Sequence, residues 1–250
     1  MNKYLKYTFA VLSFAAVSTG CSDFGDTNID PEHMNEGNVP YELIFSNAQH
    51  QALGSDWDVW RNGLIYCGQW MNHVASINQW WEYSVYTWND GYSAAYWETY
   101  HSDRGAVRDI TTVLDKWKDD PKHVVDYNFA RIMRVYIMHR MTDLYGDVPY
   151  TEAGRPIDFS YPKYDKQQDI YMDMLKELDE AQANIGSQNA EMGKQDLYFG
   201  GDGSSWKRFA NSLMLRLAMR LVKVDEATAK TYVAKAVAGG LISSNDENVL

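Results

Sequence analysis

Only two cysteines, Cys21 and Cys67, occur in the 250 residues, too few for a disulfide framework. Neither has the spacing or the neighbours of a zinc site, and with Cys21 set aside Cys67 reads as a small buried hydrophobe. The six histidines are scattered. No Ser-His-Asp set, phosphate-cradling glycine loop or metal-ligand cluster presents itself, so no catalytic residue, metal or cofactor is expected. Positive charge is short as well, with 23 Lys and Arg against 34 Asp and Glu and a formal charge of −11. A phosphate backbone would be repelled rather than gathered, which excludes nucleic acid as an expected partner. No run of period-2 alternation marks a strand, so the expected architecture is mainly α.

The start of the chain has the parts of a secretory leader. Lys3 and Lys6 precede an apolar run from Phe9 to Val17, too short to remain as a membrane-spanning helix. Ser18-Thr19-Gly20 then leads into Cys21, and this small-residue approach to a cysteine resembles a bacterial lipobox, although Ser18 stands where that pattern usually has leucine. Residues 1–20 are therefore read as a lipoprotein signal peptide, and Cys21 as a cysteine that receives acyl chains, palmitate among them. Loss of Lys3 and Lys6 with the leader takes the formal charge from −11 to −13. Residues 21–40 are polar, through Asp23, Asp26, Asp30-Pro31, Glu32 and Asn38, and read as a tether. The acidic residues that directly follow Cys21 resemble the signal that sends Bacteroidetes lipoproteins to the outer face of the outer membrane.

Residues 41–250 carry the folded part. With 45% apolar content the chain can bury a real core. Leu43, Ile44, Ala48 and Leu53 fit a loose helical stripe over Tyr41 to Leu53. Trp57, Trp60, Leu64, Cys67 and Met71 recur at spacings of three and four, which predicts one buried face of a helix over Trp57 to Val74. Helical spacing runs again through Ala94, Trp97 and Tyr100, with both rings expected in the core, and on to Trp117. Residues 126–145 are apolar on most of a helical circumference and belong inside a bundle. They stop at Gly146-Asp147-Val148-Pro149. Asp165 and Gln168 have the spacing of a capping box. Ser204 or Ser205 is placed to cap a helix striped by Trp206, Phe209, Leu213, Leu217 and Leu221. A last helix spans Glu226 to Ala238, and the sequence stops at Leu250 without an obvious terminal element, as expected for part of a longer protein.

The concentration of aromatic residues between Tyr66 and Tyr100 is unusual: five of the nine tryptophans lie there. A core rarely needs so many rings whose polar edges must each find a partner. From Asn78 to Asp90 the helical period fails, and Asn89-Asp90-Gly91 is a turn signal. Large rings in an irregular segment are the ones that meet ligands. A sugar offers apolar C–H faces and a rim of hydroxyls, so Trp80, Trp81, Tyr83 and Trp88 are candidate platforms, with Asn78, Gln79, Glu82 and Asp90 to orient the rim.

Several stretches in order resemble the SusD/RagB family of surface glycan-binding lipoproteins. They are the leader to Cys21; Asp143-Leu144-Tyr145-Gly146-Asp147-Val148-Pro149-Tyr150-Thr151-Glu152-Ala153; Tyr164-Asp165 with Tyr171 and Leu178-Asp179-Glu180-Ala181; and Trp206-Lys207-Arg208-Phe209-Ala210-Asn211-Ser212-Leu213 into Leu215-Arg216-Leu217-Ala218. The resemblance covers essentially this whole chain but only the N-terminal part of a typical member. It implies tetratricopeptide-like helical hairpins packed as an α-α superhelix with long loops. It also implies lipid anchoring at the outer membrane facing the exterior, capture of oligosaccharide or polysaccharide, and association with a SusC-like TonB-dependent transporter. The quoted motifs read as turns, caps and helix packing, so no ligand contact carries over from them. Two other readings stand beside this one. An α-helical glycoside hydrolase or lyase would use Glu82 and Asp90 as acid and base, but nothing fixes their separation. A scaffold on the transporter would bind nothing.

Overall fold

The computed structural model describes residues 39–52, 54, 56–77, 86–102 and 105–249. The segment from Tyr41 to Leu250 forms one compact unit, and the signal peptide, Cys21 and nearly all of the tether lie outside the described residues. The helices follow in chain order as α1 (Tyr41–Gln51), α2 (Asp56–Asp58) running into a π-helical stretch (Val59–Gly68), α3 (Asp90–Ser93), α4 (Ala95–His101), α5 (Ala106–Trp117), α6 (Val124–Tyr145), α7 (Gln167–Ile185), α8 (Gly203–Arg220) and α9 (Glu226–Gly239). α1 packs on α5, α5 on α6, α6 on α7, α7 on α8 and α8 on α9. From α6 to α9 each helix thus covers its predecessor in an α-superhelical stack. The only strands among the described residues are β1 (Val148–Pro149) and β2 (Tyr164–Asp165), antiparallel, with Val148 opposite Asp165 and Pro149 opposite Tyr164. None of the described helices is long and apolar enough to cross a membrane.

The core is held by a chain of rings. Trp206 of α8 is fully buried and stacks on Phe129 of α6 at 4.7 Å between centroids, while Phe45 of α1 lies 6.1 Å from Trp206 and 5.9 Å from Trp117 of α5. Four elements therefore meet at aromatic contacts. The indole N–H of Trp206 needs an acceptor, and Asp196 Oδ2 supplies it at 2.7 Å. Asp196 is itself buried, and it also accepts from Gln49 Nε2 at 2.7 Å, Tyr198 N at 3.1 Å and Gly201 N at 2.9 Å. A buried carboxylate with four donors is satisfied, and it pins the loop before α8 onto α1. Asp126 of α6 does the same further back, accepting from Glu191 N at 3.1 Å and Met192 N at 2.9 Å.

Several local expectations are corrected. Helix α1 buries Ala48 and packs Ile44 against the core as expected, but it also buries Phe45 and Gln49 and leaves Leu43 exposed, while Leu53 lies outside the described residues. α6 hides Asp126, Asn128, Arg131, His139 and Thr142 as well as its apolar residues. Arg131 is forked onto Glu177 of α7 at 2.8 and 3.0 Å and also reaches Glu180 at 2.6 Å, so its burial ties α6 to α7. Asp165 does not cap α7. Its carboxylate accepts from Tyr150 N, Thr151 N and the Thr151 hydroxyl, while Gln167 N at the start of α7 donates to Asp147 at 2.9 Å. The turn after α6 supplies the cap because β1 pairs with β2 and brings Asp147 alongside. Likewise Asp202, not Ser204 or Ser205, caps α8 by accepting from Ser205 N at 2.8 Å. Gly146 ends α6 as expected, with φ +77°, a conformation that L side chains rarely adopt.

Candidate functional site

The segment after Asp56 departs most from expectation. Its ten residues Val59–Gly68 wind as a π-helix, a form in which each turn takes in about one more residue than an α-turn. The face that carries Trp57, Trp60, Leu64, Cys67 and Met71 is nevertheless not the one that packs inward. Asp58, Asn62, Ile65, Tyr66 and Gln69 face inward, while Trp57, Leu64, Cys67 and Met71 are exposed and Trp60 is half-buried. Cys67 is thus not the buried hydrophobe expected.

The outward rings form a run. Trp57 stacks on Trp60 at 4.9 Å, Trp60 meets Tyr92 at 5.7 Å, and the Arg61 guanidinium lies 4.7 Å over Trp57 and 5.4 Å over Tyr92. Beside it, Tyr66 contacts Trp70 at 5.2 Å and Trp88 at 5.7 Å, and Trp70 contacts Tyr86 at 6.0 Å. Hydrogen bonds fix the 86–92 segment against the π-helical stretch: Tyr66 Oη donates to Asn89 O at 2.8 Å and Asn89 N donates to Tyr66 Oη at 2.6 Å. Asn89 Oδ1 then caps α3 by accepting from Tyr92 N at 3.0 Å. Behind the run, Tyr100 Oη donates to Ala52 O at 2.6 Å, and Tyr145 Oη of α6 donates to Ser93 O at 2.6 Å. The long central helix thereby holds the aromatic segment.

Of the expected site residues, Trp88 and Asp90 are brought together: the Trp88 indole N–H donates to Asp90 Oδ1 at 2.5 Å, and Trp88 is 63% exposed. Asn78, Gln79, Trp80, Trp81, Glu82 and Tyr83 lie outside the described residues. Trp57, Trp60, Arg61 and Tyr86 were missed as surface residues, since α-helical spacing assigns the two tryptophans to the core. Trp57 is 57% exposed and Tyr86 65% exposed, so three large rings, Trp57, Tyr86 and Trp88, face solvent on one aromatic cluster. The buried Trp70 Nε1 and Asn62 Nδ2 in the same cluster have no hydrogen-bond partner. Among the described residues no three His, Cys, Asp or Glu side chains converge as a metal site. Tyr100 is core as expected, but Trp97 is only half-buried: it meets Tyr145 edge-on at 5.6 Å and stacks against Tyr164 at 6.0 Å.

A superhelical stack of α-helices that displays a fixed aromatic surface is a recognisable class of architecture, and its family follows from comparison. Residues 35–250 match the SusD-like family model described as starch-binding associating with outer membrane. The chain belongs to the SusD-like family. It is similar to a solved chitin-binding protein, with 32% identity over 83% of this chain and 44% of that one and a TM-score of 0.72. A Bacteroidetes SusD-like structure matches at 32% identity over 85% of this chain and 39% of its own, with a TM-score of 0.69. A SusD homolog from Parabacteroides distasonis matches at 27% identity over 84% and 41%, with a TM-score of 0.73. The chain thus spans less than half the length of these structures. No curated protein matches it.

Proposed function

We propose that this protein captures oligosaccharide at the bacterial cell surface and passes it to a SusC-like TonB-dependent transporter, held at the outer membrane by acyl chains on Cys21. The observation that carries the reading is the solvent-facing set Trp57, Tyr86 and Trp88, with Arg61 and Asp90 beside the rings. Flat rings take the C–H faces of sugars, and the neighbouring charged groups take hydroxyls. Family membership and the likeness to a chitin-binding protein support a carbohydrate ligand. Asn78 to Tyr83 adjoin this set in sequence and are proposed to complete it.

Burying one aromatic face contributes about 1.5 to 3 kcal/mol at most. Two or three platforms, less the cost of association, give roughly millimolar affinity. Such affinity suits a protein that hands its cargo on. The test is retardation in affinity gels of starch, chitin and other polysaccharides, with reducing ends assayed in parallel. Retardation without cleavage supports capture, cleavage would support the hydrolase or lyase reading, and neither would leave the scaffold. Retardation unchanged by Trp57→Ala with Trp88→Ala would remove the site from this surface. For the anchor, Cys21→Ala is expected to release the protein from membranes, and continued retention would count against lipidation.

A further inference from the structure

The aromatic segment leaves the helical stack at the end of α1 and rejoins it at α4, and between these points it has a small core of its own. Ile65 and Tyr66, with Trp60, Trp70 and Tyr92 packed round them, form an apolar cluster separate from the main one, to which Ala52, Tyr96 and Tyr100 belong. Burial confined to a separate cluster holds that cluster together but does not fix where it stands on its neighbour. Its position is set at the neck between the two.

Arg140 of α6, half-buried, occupies that neck. Its Nη1 donates to Ala52 O at 3.0 Å and its Nη2 to the Tyr96 hydroxyl, while the guanidinium lies 4.9 Å from the centre of the Tyr96 ring. Ala52 directly follows α1, and a helix C-terminus leaves carbonyls without backbone partners and with partial negative charge. A cation there satisfies the carbonyl and complements the helix dipole. Burial raises the Tyr96 pKa against the pull of Arg140, so the phenol is protonated at pH 7 and its oxygen can accept. Asp58, 3% exposed where α2 runs into the π-helical stretch, stands at the same neck: a Cβ added to Gly54 would meet Asp58 Oδ2 at 3.6 Å and the Tyr96 ring at 3.3 Å. One planar guanidinium thus joins the chain where it leaves the stack to the chain where it returns. A lysine ammonium offers no rigid fork to span the two acceptors.

We propose that Arg140 is the positioning residue of the aromatic surface: by clasping Ala52 and Tyr96 it fixes where Trp57, Tyr86 and Trp88 stand on the stack. That their position governs binding rests on the proposed capture of glycan. With the clasp released the small cluster stays folded but samples other positions, and a site that is competent one time in ten binds about tenfold more weakly. The test compares the full chain with its Arg140→Lys and Tyr96→Phe variants, the second of which keeps the ring and the charge and removes only the hydroxyl. Without ligand, amide hydrogen exchange is expected to speed up in peptides 57–70 and 86–97 of both variants and to stay unchanged in 167–185 and 203–220. Affinity for starch-derived and chitin-derived oligosaccharides, read by fluorescence titration, is expected to fall about tenfold in Arg140→Lys. Unchanged exchange in 57–70 and 86–97 overturns the clasp, and so does faster exchange throughout the chain, which would make Arg140 a general support of the core. Local loosening with unchanged oligosaccharide affinity overturns the positioning role. Local loosening in a protein whose wild type binds no oligosaccharide overturns the proposed capture and leaves the clasp. Tyr96→Phe decides by the same outcomes if Arg140→Lys does not fold.

Discussion

Acid destabilises this fold through His139 in a window that can be worked out. The imidazole is 2% exposed in the middle of α6, 3.3 Å from Val135 O through Nδ1. Burial, followed by the repulsion of Arg216, pushes its pKa from 6.5 down to about 4. In the unfolded chain the same ring takes a proton near pH 6.5. Between these values the unfolded state binds more protons, so stability falls as pH falls. The contribution is fully present above pH 6.5 and is lost by about pH 4. With 1.36 kcal/mol per unit, the loss is on the order of 3 kcal/mol, a large share of a domain's stability. His139→Gln removes the titration and keeps an amide able to donate to Val135 O. Urea unfolding followed by tryptophan fluorescence, from pH 7 to pH 4, is expected to give a flatter profile for the variant by about that amount. His101 pulls the same way, since burial lowers its pKa too. Asp109 and Asp143, both raised by burial, favour the folded state as they protonate. These remain in both proteins, so the difference isolates His139. Equal slopes for wild type and variant would refute the reasoning.

Other perturbations test the frame around the site. Asp196→Asn places amide hydrogens against two of the four donors that the carboxylate accepts from, and is expected to destabilise by about 3–5 kcal/mol in urea unfolding. Gly154→Ala combines a φ of +78° with a Cβ 2.8 Å from Val107 O, so a loss of at least about 2 kcal/mol is expected by the same assay. Asp147→Ala is expected to speed amide exchange at Gln167, whereas Asp165→Ala frees Thr151 and leaves Gln167 protected. The opposite pattern would restore Asp165 as the cap.

The helices α5 to α9 were legible because packing and local pattern agree there. Ile110, Val113 and Trp117 repeat at helical spacing and are buried, and Gly146 and Gly240 end helices with positive φ. The caps were not legible. A capping box can be read from spacing, but whether Asp165 or Asp147 reaches the first amide of α7 depends on a two-residue strand pair that alternation cannot reveal. Asp202 lies two or three residues before the serines that spacing favours, and all three have the chemistry of a cap.

The aromatic surface was legible in kind and misplaced in part, and the reason is energetic. Counting tryptophan and tyrosine between residues 66 and 100 points to a surplus beyond what a core can satisfy, and Trp88 and Asp90 do meet at the surface. Helical spacing sorts this stretch into two faces and assigns the apolar one, with Trp57 and Trp60, to the core. On that assignment the opposite face, with Asp58, Asn62 and Gln69, would lie away from the fold. They are instead 3–4% exposed, with Tyr66 between them bonded to Asn89. The orientation that turns these polar groups inward turns the rings outward, so the stretch gives up the burial of Trp57, Leu64 and Met71. Apolar area left in water at this scale is unfavourable unless something covers it, and a sugar face is the occupant proposed for Trp57. Saturating oligosaccharide is therefore expected to stabilise the wild type against urea more than the Trp57→Ala variant, because ligand binding restores to the folded state the burial that this orientation relinquishes. Equal stabilisation of the two would show that the exposed ring serves something other than sugar.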